Sequence, residues 1–455
     1  MLESTMPPRF AFFPGVEYGS PPTRSLPIQR KDSAMKVFSA VAAGLLLLLS
    51  GTVMSAEVSW PAPVVPDGFG ANIHFTHARP GEMEMLAASG MRWIRMDFSW
   101  GGTEREKGVY DFSAFDHLLN DLEKHGIRAL LILDYSNRHY DEGLSPHSDE
   151  GRQAFARWAA AAAKHFQGRG ILWEMYNEPN IGFWKPKPNV KDYTALAVEV
   201  GKAIRREAPG EIYIGPATSQ IDMKFLEDCF KAGLLEYWDA VSVHPYRQTA
   251  PETVIPEYQN LRELIAKYAP AGKTIPIISG EWGYSAAWKN YDEQRQGKYL
   301  PRQWLTNLAE GIPVSIWYDW HDDGPDPKEP EHHFGMTAFP YHEGRNPVYD
   351  PKPAYVAAQT LNRVLSGYRF VKRLEVSGEQ AAQCHVLLFE KDGRPALAAW
   401  TQADGQTARI TVEIPAGEYR GLDYLGKEIT AALQASGSAV TLELQDTPIY
   451  FLSRP

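Results

Sequence analysis

Short apolar segments alternate with helical patterns from about residue 69 to residue 367, and this alternation constrains the fold more than any other feature. The apolar segments are rich in Ile, Val, Leu and Trp, which is typical of strands buried on both faces of a parallel sheet. The sequence predicts eight such strands, at residues 69–75, 92–98, 129–135, 171–176, 212–216, 240–243, 275–279 and 313–318.

Helical patterns separate most of these strands. They lie at residues 115–125, 150–166, 192–207, 225–232, 254–268, 302–310 and 352–366. Eight strands alternating with helices over about 300 residues are typical of a (β/α)8 TIM barrel. An open doubly wound sheet is the competing α/β fold, but residues 68–73 lack the third Gly of a dinucleotide-binding turn and lead into a strand. We therefore predict an α/β chain with a catalytic barrel at residues 57–367.

The pattern changes after Gly367 to short strands separated by turns. Residues 368–455 are predicted to form a small C-terminal antiparallel β-sandwich domain packed on the barrel, and residues 58–63 are a candidate additional strand of it. The predicted strands lie at residues 368–376, 383–390, 396–401, 409–414, 422–424, 439–444 and 449–452.

Residues 1–56 have the pattern of an export leader. Basic residues precede the apolar run at residues 40–49, and small residues follow up to Ala56. This is the order of regions in a cleaved signal peptide, while residues 37–56 are also long enough for an uncleaved membrane anchor. Both alternatives stay open, and both place the rest of the chain across the membrane. We expect a periplasmic protein, either free or anchored to the inner membrane.

Charge and cysteine content exclude other classes of protein. The chain has 46 basic and 56 acidic side chains, a formal net charge of −10, whereas nucleic-acid binding usually requires a basic excess. We therefore predict no nucleic-acid partner. Cys229 and Cys384 are too few for a disulfide scaffold or a cysteine-rich metal site, and we expect them to be unpaired.

Two glutamates stand at the ends of predicted strands. Glu178 follows the fourth strand, before Pro179, and Glu281 follows the seventh. Catalytic residues of TIM barrels lie at the carboxyl ends of strands, and the barrel is narrow enough for side chains from opposite strands to meet. Retaining glycosidases use two carboxyl groups about 5–5.5 Å apart, one protonated and one ionised. The pair therefore indicates glycosidic bond cleavage.

Residues 173–180 (WEMYNEPN), together with Glu281, resemble the catalytic segments of the clan A retaining glycoside hydrolases, and with the trailing β-domain they are most similar to family 39. The resemblance spans roughly residues 69–455. It implies that Glu178 is the acid/base, that Glu281 is the nucleophile, and that Asn177 contacts the sugar 2-hydroxyl.

The resemblance also implies substrate-binding residues. Arg95 matches an arginine near the nucleophile, and His244 and Tyr246 match a pair on the sixth strand. Either Trp317 or Trp320 matches the tryptophan under the sugar, and the sequence does not decide between them.

The environment of the two glutamates is expected to divide their roles. Arg95 and the Tyr246 hydroxyl would lower the pKa of Glu281, and the Glu281 anion would raise the pKa of Glu178. Glu174 is expected to be a buried, paired charge with a structural role. The chemistry requires no cofactor.

Tryptophans at or after strand ends are candidates to stack on sugar rings. We expect about half of them to line subsites, with Trp184 and Trp282 among these, and Phe183 and Trp184 on the loop after the fourth strand to form a wall of the cleft. The candidates are Trp100, Trp184, Trp282, Trp288, Trp317 and Trp320.

Two adjacent histidines, His332 and His333, lie near acidic residues. They lack ligand spacing, so we predict hydration or sugar contacts and no metal site.

These observations predict an exported, endo-acting retaining glycosidase. Similarity to periplasmic glycosidases of exopolysaccharide gene clusters implies an exopolysaccharide substrate, and we expect a monomer that associates with the inner membrane or the exopolysaccharide machinery. The alternatives are a non-catalytic polysaccharide-binding or assembly protein, and a transglycosylase on the same scaffold.

Overall fold

The computed structural model of the chain describes residues 59–436 and 439–454, with the side chains of residues 430–432 left out. The leader predicted at residues 1–56 lies outside the described residues. Among the helices that are described, none combines the length and the hydropathy that a membrane span requires.

Eight parallel strands close into a barrel in sequence order, and β1 pairs with β8 to complete it. All eight predicted strands are therefore confirmed. Their bounds are β1 Phe69–Asn72, β2 Trp93–Ser99, β3 Arg128–Asp134, β4 Leu172–Met175, β5 Ile212–Ser219, β6 Ala240–His244, β7 Ile277–Trp282 and β8 Ser315–Trp317.

The seven predicted helices are present, and two short helices, α1 and α2, were not predicted. The bounds are α1 Glu82–Ala88, α2 Trp100–Thr103, α3 Ser113–Lys124, α4 Asp149–His165, α5 Val190–Glu207, α6 Met223–Lys231, α7 Ile255–Tyr268, α8 Glu293–Ala309 and α9 Pro353–Val364.

Helix α8 begins nine residues before its predicted start at residue 302. Pro301 lies inside α8, although proline in the interior of a helix removes one backbone hydrogen bond. The true start is capped by Asp292, whose side chain accepts a hydrogen bond of 2.7 Å from the Arg295 amide.

The interior of the barrel is filled by aliphatic side chains and one tryptophan. These buried residues are Trp93, Leu130, Ile132, Leu172, Ile214, Ala240, Ile278, Val314 and Ile316. A packed interior leaves polar side chains room only at the end of the barrel where the strands finish. The layer that contains Arg95 stands at that end.

The region after α9 contains antiparallel sheets of six and three strands, which confirms the β-sandwich prediction. The long β8–α9 connection adds the hairpin β9 Thr337–Tyr341 and β10 Tyr349–Pro351. The sandwich strands are β11 Arg369–Arg373, β12 Val376–Ser377, β13 Cys384–Lys391, β14 Arg394–Thr401, β15 Ala408–Glu413, β16 Gly417–Leu422, β17 Glu428–Ala435, β18 Ala439–Leu444 and β19 Ile449–Ser453.

Two details of the β-sandwich differ from the sequence prediction. Strand β17 was not predicted, and the strand predicted at residues 422–424 overlaps β16 only at Leu422, because the residues after Leu422 form a turn in which Asp423 accepts from the Leu425 amide at 3.0 Å. The described part of the candidate strand before the barrel, residues 59–63, does not form a strand, but its end lies beside β11, where the Phe370 amide donates to the Pro63 carbonyl at 2.8 Å and Val64 bridges Arg369. Cys229 and Cys384 are both free and buried, as predicted.

Candidate active site

The ends of β4, β6 and β7 bring two carboxylates and an imidazole together at the mouth of the barrel. Glu178, His244 and Glu281 each place one side-chain atom within 4.8 Å of the corresponding atoms of the other two. Glycine is required before Glu281, because a Cβ atom at Gly280 would lie 2.4 Å from the Ser242 hydroxyl.

Glu178 is held in an unusual backbone conformation just after β4. Its φ angle is +43°, in the left-handed region that non-glycine residues rarely adopt and that often occurs at functional sites. Its amide donates to the Ala217 carbonyl at 2.9 Å, which fixes this turn. The residue is 3% exposed. Burial first, and then the charge of Glu281, raise the pKa of the Glu178 carboxyl well above its ordinary value.

Glu281 accepts one charged and one neutral hydrogen bond. Arg95 Nη1 donates to Oε2 at 2.6 Å, and the Tyr246 hydroxyl donates to Oε1 at 2.7 Å. Both contacts favour the anion as predicted, but burial outweighs them and the pKa of Glu281 lies above its ordinary value. The predicted net lowering was therefore wrong, because the sequence indicates the partners of a carboxylate but not its burial. The direct contact with Arg95 makes Glu281 the group that ionises first.

His244 is a neutral imidazole with an assigned tautomer. Its Nε2 lies 3.3 Å from Arg95 Nη2, and a guanidinium can only donate, so Nε2 is the acceptor. The proton is therefore on Nδ1, which donates to Glu178 Oε1 at 3.0 Å. Burial and Arg95 hold the pKa of His244 well below its ordinary value. With Oε1 occupied as an acceptor, a proton on Glu178 sits on Oε2.

Arg95 connects these groups from below. It is 1% exposed, and its Nη2 donates to the Asn177 side-chain oxygen at 2.8 Å. Its Nε donates to Glu174 Oε2 at 2.7 Å. Glu174 is fully buried and also accepts from the Ser242 hydroxyl, which confirms it as a buried, paired charge.

A cation would be opposed at this group of side chains, although Glu178, His244 and Glu281 are close enough to hold one. The Arg95 guanidinium already contacts Glu281 and His244. Its permanent positive charge repels a second cation at the same place.

The four tryptophans predicted to bind substrate do not line the cleft. Trp184 is 1% exposed and packs against Tyr176, with ring centroids 5.0 Å apart. Trp282 and Trp317 are fully buried, and Trp320 is 1% exposed. These predictions were wrong because a position at a strand end does not reveal which way a large apolar ring turns. Of the six candidates, only Trp288 keeps partial exposure.

Smaller aromatic side chains that the sequence reasoning missed lie near the mouth instead. Tyr318 packs edge-on against Phe334 and His74, at centroid distances of 5.4 and 5.8 Å. Phe334 also contacts Tyr246 at 6.1 Å. Tyr318 lies between Trp317 and Trp320 in the sequence, and the sequence analysis considered only these two tryptophans as candidates to bind the sugar.

Further acidic groups surround the two glutamates. Burial and nearby carboxylates, Glu281 first among them, raise the pKa of Glu331 to about 8. Burial and Asp323 raise the pKa of Asp319 to about 8. Burial and Asp97 raise the pKa of Asp134 well above its ordinary value. The mouth of the barrel is therefore rich in carboxyl groups that hold protons more tightly than usual.

Residues 70–324 match the model of the cellulase family, glycosyl hydrolase family 5. The chain belongs to this family. The matched range contains Glu178 and Glu281 and ends before the C-terminal sheets. The clan A resemblance of the sequence is confirmed.

Curated relatives of this family 5 chain are distant and match over short segments. A β-glucosidase of Arabidopsis thaliana is 26% identical over 116 residues, covering 23% of this chain and 21% of the relative. A phospho-cellobiase of Klebsiella oxytoca is 24% identical over 130 residues, covering 26% of this chain and 27% of the relative. The chain thus spans about a quarter of the length of these relatives.

Solved structures match over most of the chain. A family 39 glycoside hydrolase from Bacteroides cellulosilyticus has a TM-score of 0.72 and 25% identity, covering 86% of this chain and 81% of that protein. A family 39 β-xylosidase from Caulobacter crescentus has a TM-score of 0.63 and 19% identity, covering 88% and 98%. The second likeness concerns the fold alone. The family 39-like architecture that the sequence suggested is therefore found in a chain with a family 5 barrel.

Proposed function

We propose that this chain is a retaining glycosidase in which Glu281 is the nucleophile and Glu178 is the acid/base. The observation that carries the proposal is that one carboxylate oxygen of Glu178 lies within 4.8 Å of one carboxylate oxygen of Glu281. Retaining enzymes hold the two carboxyl groups about 5–5.5 Å apart, whereas inverting enzymes need about 6.5–9.5 Å to admit a water molecule.

The first displacement uses the division of protons between the two groups. A carboxylate oxygen of Glu281 attacks the anomeric carbon, and the bond from that carbon to the glycosidic oxygen breaks. The leaving oxygen takes the proton from Oε2 of Glu178, the oxygen that does not accept from His244. Glu178 is supplied in its protonated form by its raised pKa.

The second displacement releases the sugar. Esterification of Glu281 removes the negative charge that raised the pKa of Glu178, so Glu178 becomes a base. It takes a proton from water as the water oxygen attacks the anomeric carbon and the bond to Glu281 breaks. The configuration at the anomeric carbon is retained because it has been inverted twice.

The substrate that we infer is an exported exopolysaccharide, cut internally. The leader pattern at residues 1–56 and the acidic balance of the chain support export and argue against an anionic polymer. We place the enzyme in the periplasm as a monomer, free or anchored to the inner membrane close to the exopolysaccharide machinery.

Hydrolysis of activated aryl glycosides tests the catalytic proposal. Glu281→Gln should abolish turnover, and Glu178→Gln should lower kcat/KM by about 10²–10⁴-fold on substrates with poor leaving groups. Glu263→Gln, an exposed change of the same kind on α7, should leave turnover unchanged. Proton NMR of the first-formed product should show the anomer of the substrate.

Two outcomes would contradict this proposal. Formation of the opposite anomer would mean a single displacement, and undiminished turnover by Glu281→Gln would remove the nucleophile. A wild-type chain that binds polysaccharide but releases no sugar from any aryl glycoside would be a binding or assembly protein.

The mode of action on a polymer needs a separate measurement. Digestion of purified exopolysaccharides should give a ladder of oligosaccharides if cleavage is internal. Release of monosaccharide alone would show exo action, and products longer than the starting fragments would show transglycosylation.

A further inference from the structure

We propose that Asp97 is a specificity-determining residue of the cleft, which accepts a hydrogen bond from a hydroxyl group of the sugar beside Glu281, and that Asp134 is the positioning residue behind it. The inference rests on the proposed function and names a substrate class for the same site. The sugar at this position is neutral and carries a free hydroxyl group.

Both aspartates point into the mouth of the barrel from neighbouring strands. Ile132, two residues before Asp134 on β3, lies in the barrel interior, and alternate residues of a strand share a face. Asp97 has the same inward direction on β2, because it follows the inward-pointing Arg95 by two residues. The register places Asp97 opposite Ile132, so Asp134 lies one step further along the adjacent strand.

The buried member of the pair, Asp134, carries a proton. The residue is 0% exposed, and neither of its carboxyl oxygens accepts from an N–H or O–H group of a described residue. Its carboxyl group instead meets the carboxyl group of Asp97, and burial, followed by the charge and the hydrogen bond of Asp97, raises the pKa of Asp134 well above its ordinary value. Two carboxyl groups can hydrogen-bond only through a proton that one of them carries. Asp134 therefore donates to Asp97.

Asp97 is the accessible member of the pair. It is partly exposed, whereas Arg95 of the same strand donates to Glu174 and Glu281. The proton from Asp134 occupies one lone pair of Asp97, and a carboxylate has about four sites that can accept. The remaining sites of Asp97 are available to donors that enter the cleft.

The position of Asp97 is beside the nucleophile. After burial, the charges of Glu174 and Asp97 add to the rise in the pKa of Glu281. Burial and then the charge of Asp97 raise the pKa of Tyr135 well above its ordinary value, and the Tyr135 ring stacks on Phe183 at a centroid distance of 5.7 Å. The sugar joined to Glu281 in the covalent intermediate therefore has Asp97 and aromatic rings on the same side.

A carboxylate at this position discriminates between sugars. An ionised carboxylate can only accept hydrogen bonds, so a sugar hydroxyl is a suitable partner. A site built to bind a hydroxyl group rejects an analogue that lacks it. A uronic acid would bring a further negative charge beside Asp97 and Glu281, which is repulsive. A neutral sugar with its hydroxyl group free is the class that fits.

Steady-state kinetics on an aryl glycoside that the wild type cleaves test the role of Asp97. Asp97→Asn should lower kcat/KM by roughly ten- to a hundredfold, the range of a hydrogen bond to a charged group. On the monodeoxy glycoside that lacks the contacted hydroxyl, Asp97→Asn should cause no further loss, because both changes remove one interaction. The preference for a neutral glycoside over the matching aryl uronide should also fall. Asp149→Asn, at an aspartate that is 89% exposed, is the matched control.

Two substitutions test the positioning role of Asp134. Asp134→Ala removes the donor to Asp97 and should lower the preference for the neutral glycoside as Asp97→Asn does. Asp134→Asn keeps a donor, since an amide N–H can replace the O–H, and should restore that preference. A merely structural role would lower the Tm of both variants and leave the preference unchanged, which would overturn the assignment.

Infrared spectra of the ligand-free chain test the shared proton without substrate. The difference between the wild type and Asp134→Asn should contain the carbonyl band of a protonated carboxylic acid at neutral pH, and its absence would overturn the proposal. Wild-type selectivity in Asp97→Asn would overturn it as well. A wild type that cleaves no aryl glycoside would contradict the proposed function alone. Saturation-transfer NMR with glucose, mannose and glucuronate then decides the inference, since Asp97→Asn must lose the preference for the neutral sugars.

Discussion

At the scale of the residue, Arg95 organises the charges of the candidate active site. One guanidinium donates to Glu174, Asn177 and Glu281 and faces the unprotonated nitrogen of His244. The planar fork of arginine makes this possible, whereas a lysine presents a single point charge. Because Arg95 donates a hydrogen bond to Glu281 and is separated from Glu178 by His244, the two glutamates experience different surroundings at nearly the same place.

The pKa of Glu178 should fall in the variant Glu281→Gln. The anion of Glu281 raises the pKa of Glu178, and the amide removes that repulsion while burial continues to act. The Glu178 carboxyl can be titrated by isotope-edited infrared spectroscopy. In Glu263→Gln, which changes a distant exposed carboxylate, the titration should match that of the wild type.

The same interaction should appear in the pH dependence of kcat/KM. Activity should decline at low pH as Glu281 becomes protonated, and at high pH as Glu178 loses its proton. Both limits should lie above the ordinary glutamate range, because both pKa values are raised. An unchanged Glu178 titration in Glu281→Gln would show that the two groups do not interact.

At the scale of the element, the loop after β4 places two consecutive aromatic side chains, Phe183 and Trp184, in different environments. Trp184 turns inward against Tyr176 and Tyr193. Phe183 is half-buried and stacks on Tyr135 at a centroid distance of 5.7 Å. The Trp184 ring thus packs the loop against the barrel, while the Phe183 ring stays partly exposed to solvent.

Replacement of these two rings should have opposite effects. Phe183→Ala should raise KM by roughly two- to tenfold, the equivalent of a stacking contact of about 0.5–1.5 kcal/mol, with little loss of stability. Trp184→Phe should lower the Tm and leave KM unchanged. Steady-state kinetics and thermal denaturation measure the pair, and a KM effect confined to the Trp184 variant would show that Trp184, and not Phe183, contacts the substrate.

The strands of the barrel could be predicted because burial on both faces leaves a continuous apolar signal, as in residues 129–135. Helix α1, with seven residues, is too short to give a clear helical period. Strand β17 has the sequence EITAALQA, in which alanines interrupt the alternation of apolar and polar residues, and it gives an equally weak signal.

For the site, the local motif around Glu178 and the position of Glu281 at the end of a second strand were enough to identify the two glutamates from the sequence. His74, Tyr318 and Asp319 could not be found in the same way. These residues are close to one another only because β1 pairs with β8, and that pairing is seen only in the three-dimensional structure. The orientation of Trp184 and the burial of Glu281 likewise depend on packing.

At the scale of the whole molecule, one buried ion pair joins the barrel to the C-terminal sheets. Arg302 of α8 donates to Glu252 at 2.7 and 2.8 Å, and both side chains are fully buried. Trp400 of β14 donates to the same carboxylate at 2.6 Å. Arg302 also reaches the Asp446 carbonyl at 3.2 Å. The β-sandwich is therefore attached to the barrel by charged hydrogen bonds as well as by apolar contacts.

This ion pair should make stability depend on pH in a defined window. Burial raises the pKa of Glu252, but Arg302 outweighs it and holds that pKa at about 2. A lowered pKa contributes stability above the ordinary value near 4.5, and the contribution is lost as pH falls from there towards 2. The loss is on the order of 3 kcal/mol, measurable by urea denaturation at successive pH values.

Glu252→Gln should remove this dependence and should also lower stability by about 3–5 kcal/mol at pH 7, because Arg302 is left without its partner. Glu227→Gln is the control. Hydrogen bonds from Tyr268, Lys231 and Lys267 also lower the pKa of Glu227 to about 2, but this near-surface group is screened by salt. An identical pH slope in Glu252→Gln and the wild type would contradict the assignment.

The inward packing of the tryptophans decides what their fluorescence can report. All 13 lie within the described residues, and eleven are at most 1% exposed. Emission should therefore be blue-shifted, resistant to iodide and dominated by the intact fold. In saccharide titrations, a change in tryptophan emission can arise from little besides Trp288. Ligand binding to this barrel should therefore be measured by calorimetry or NMR. The same emission is a sensitive measure of unfolding.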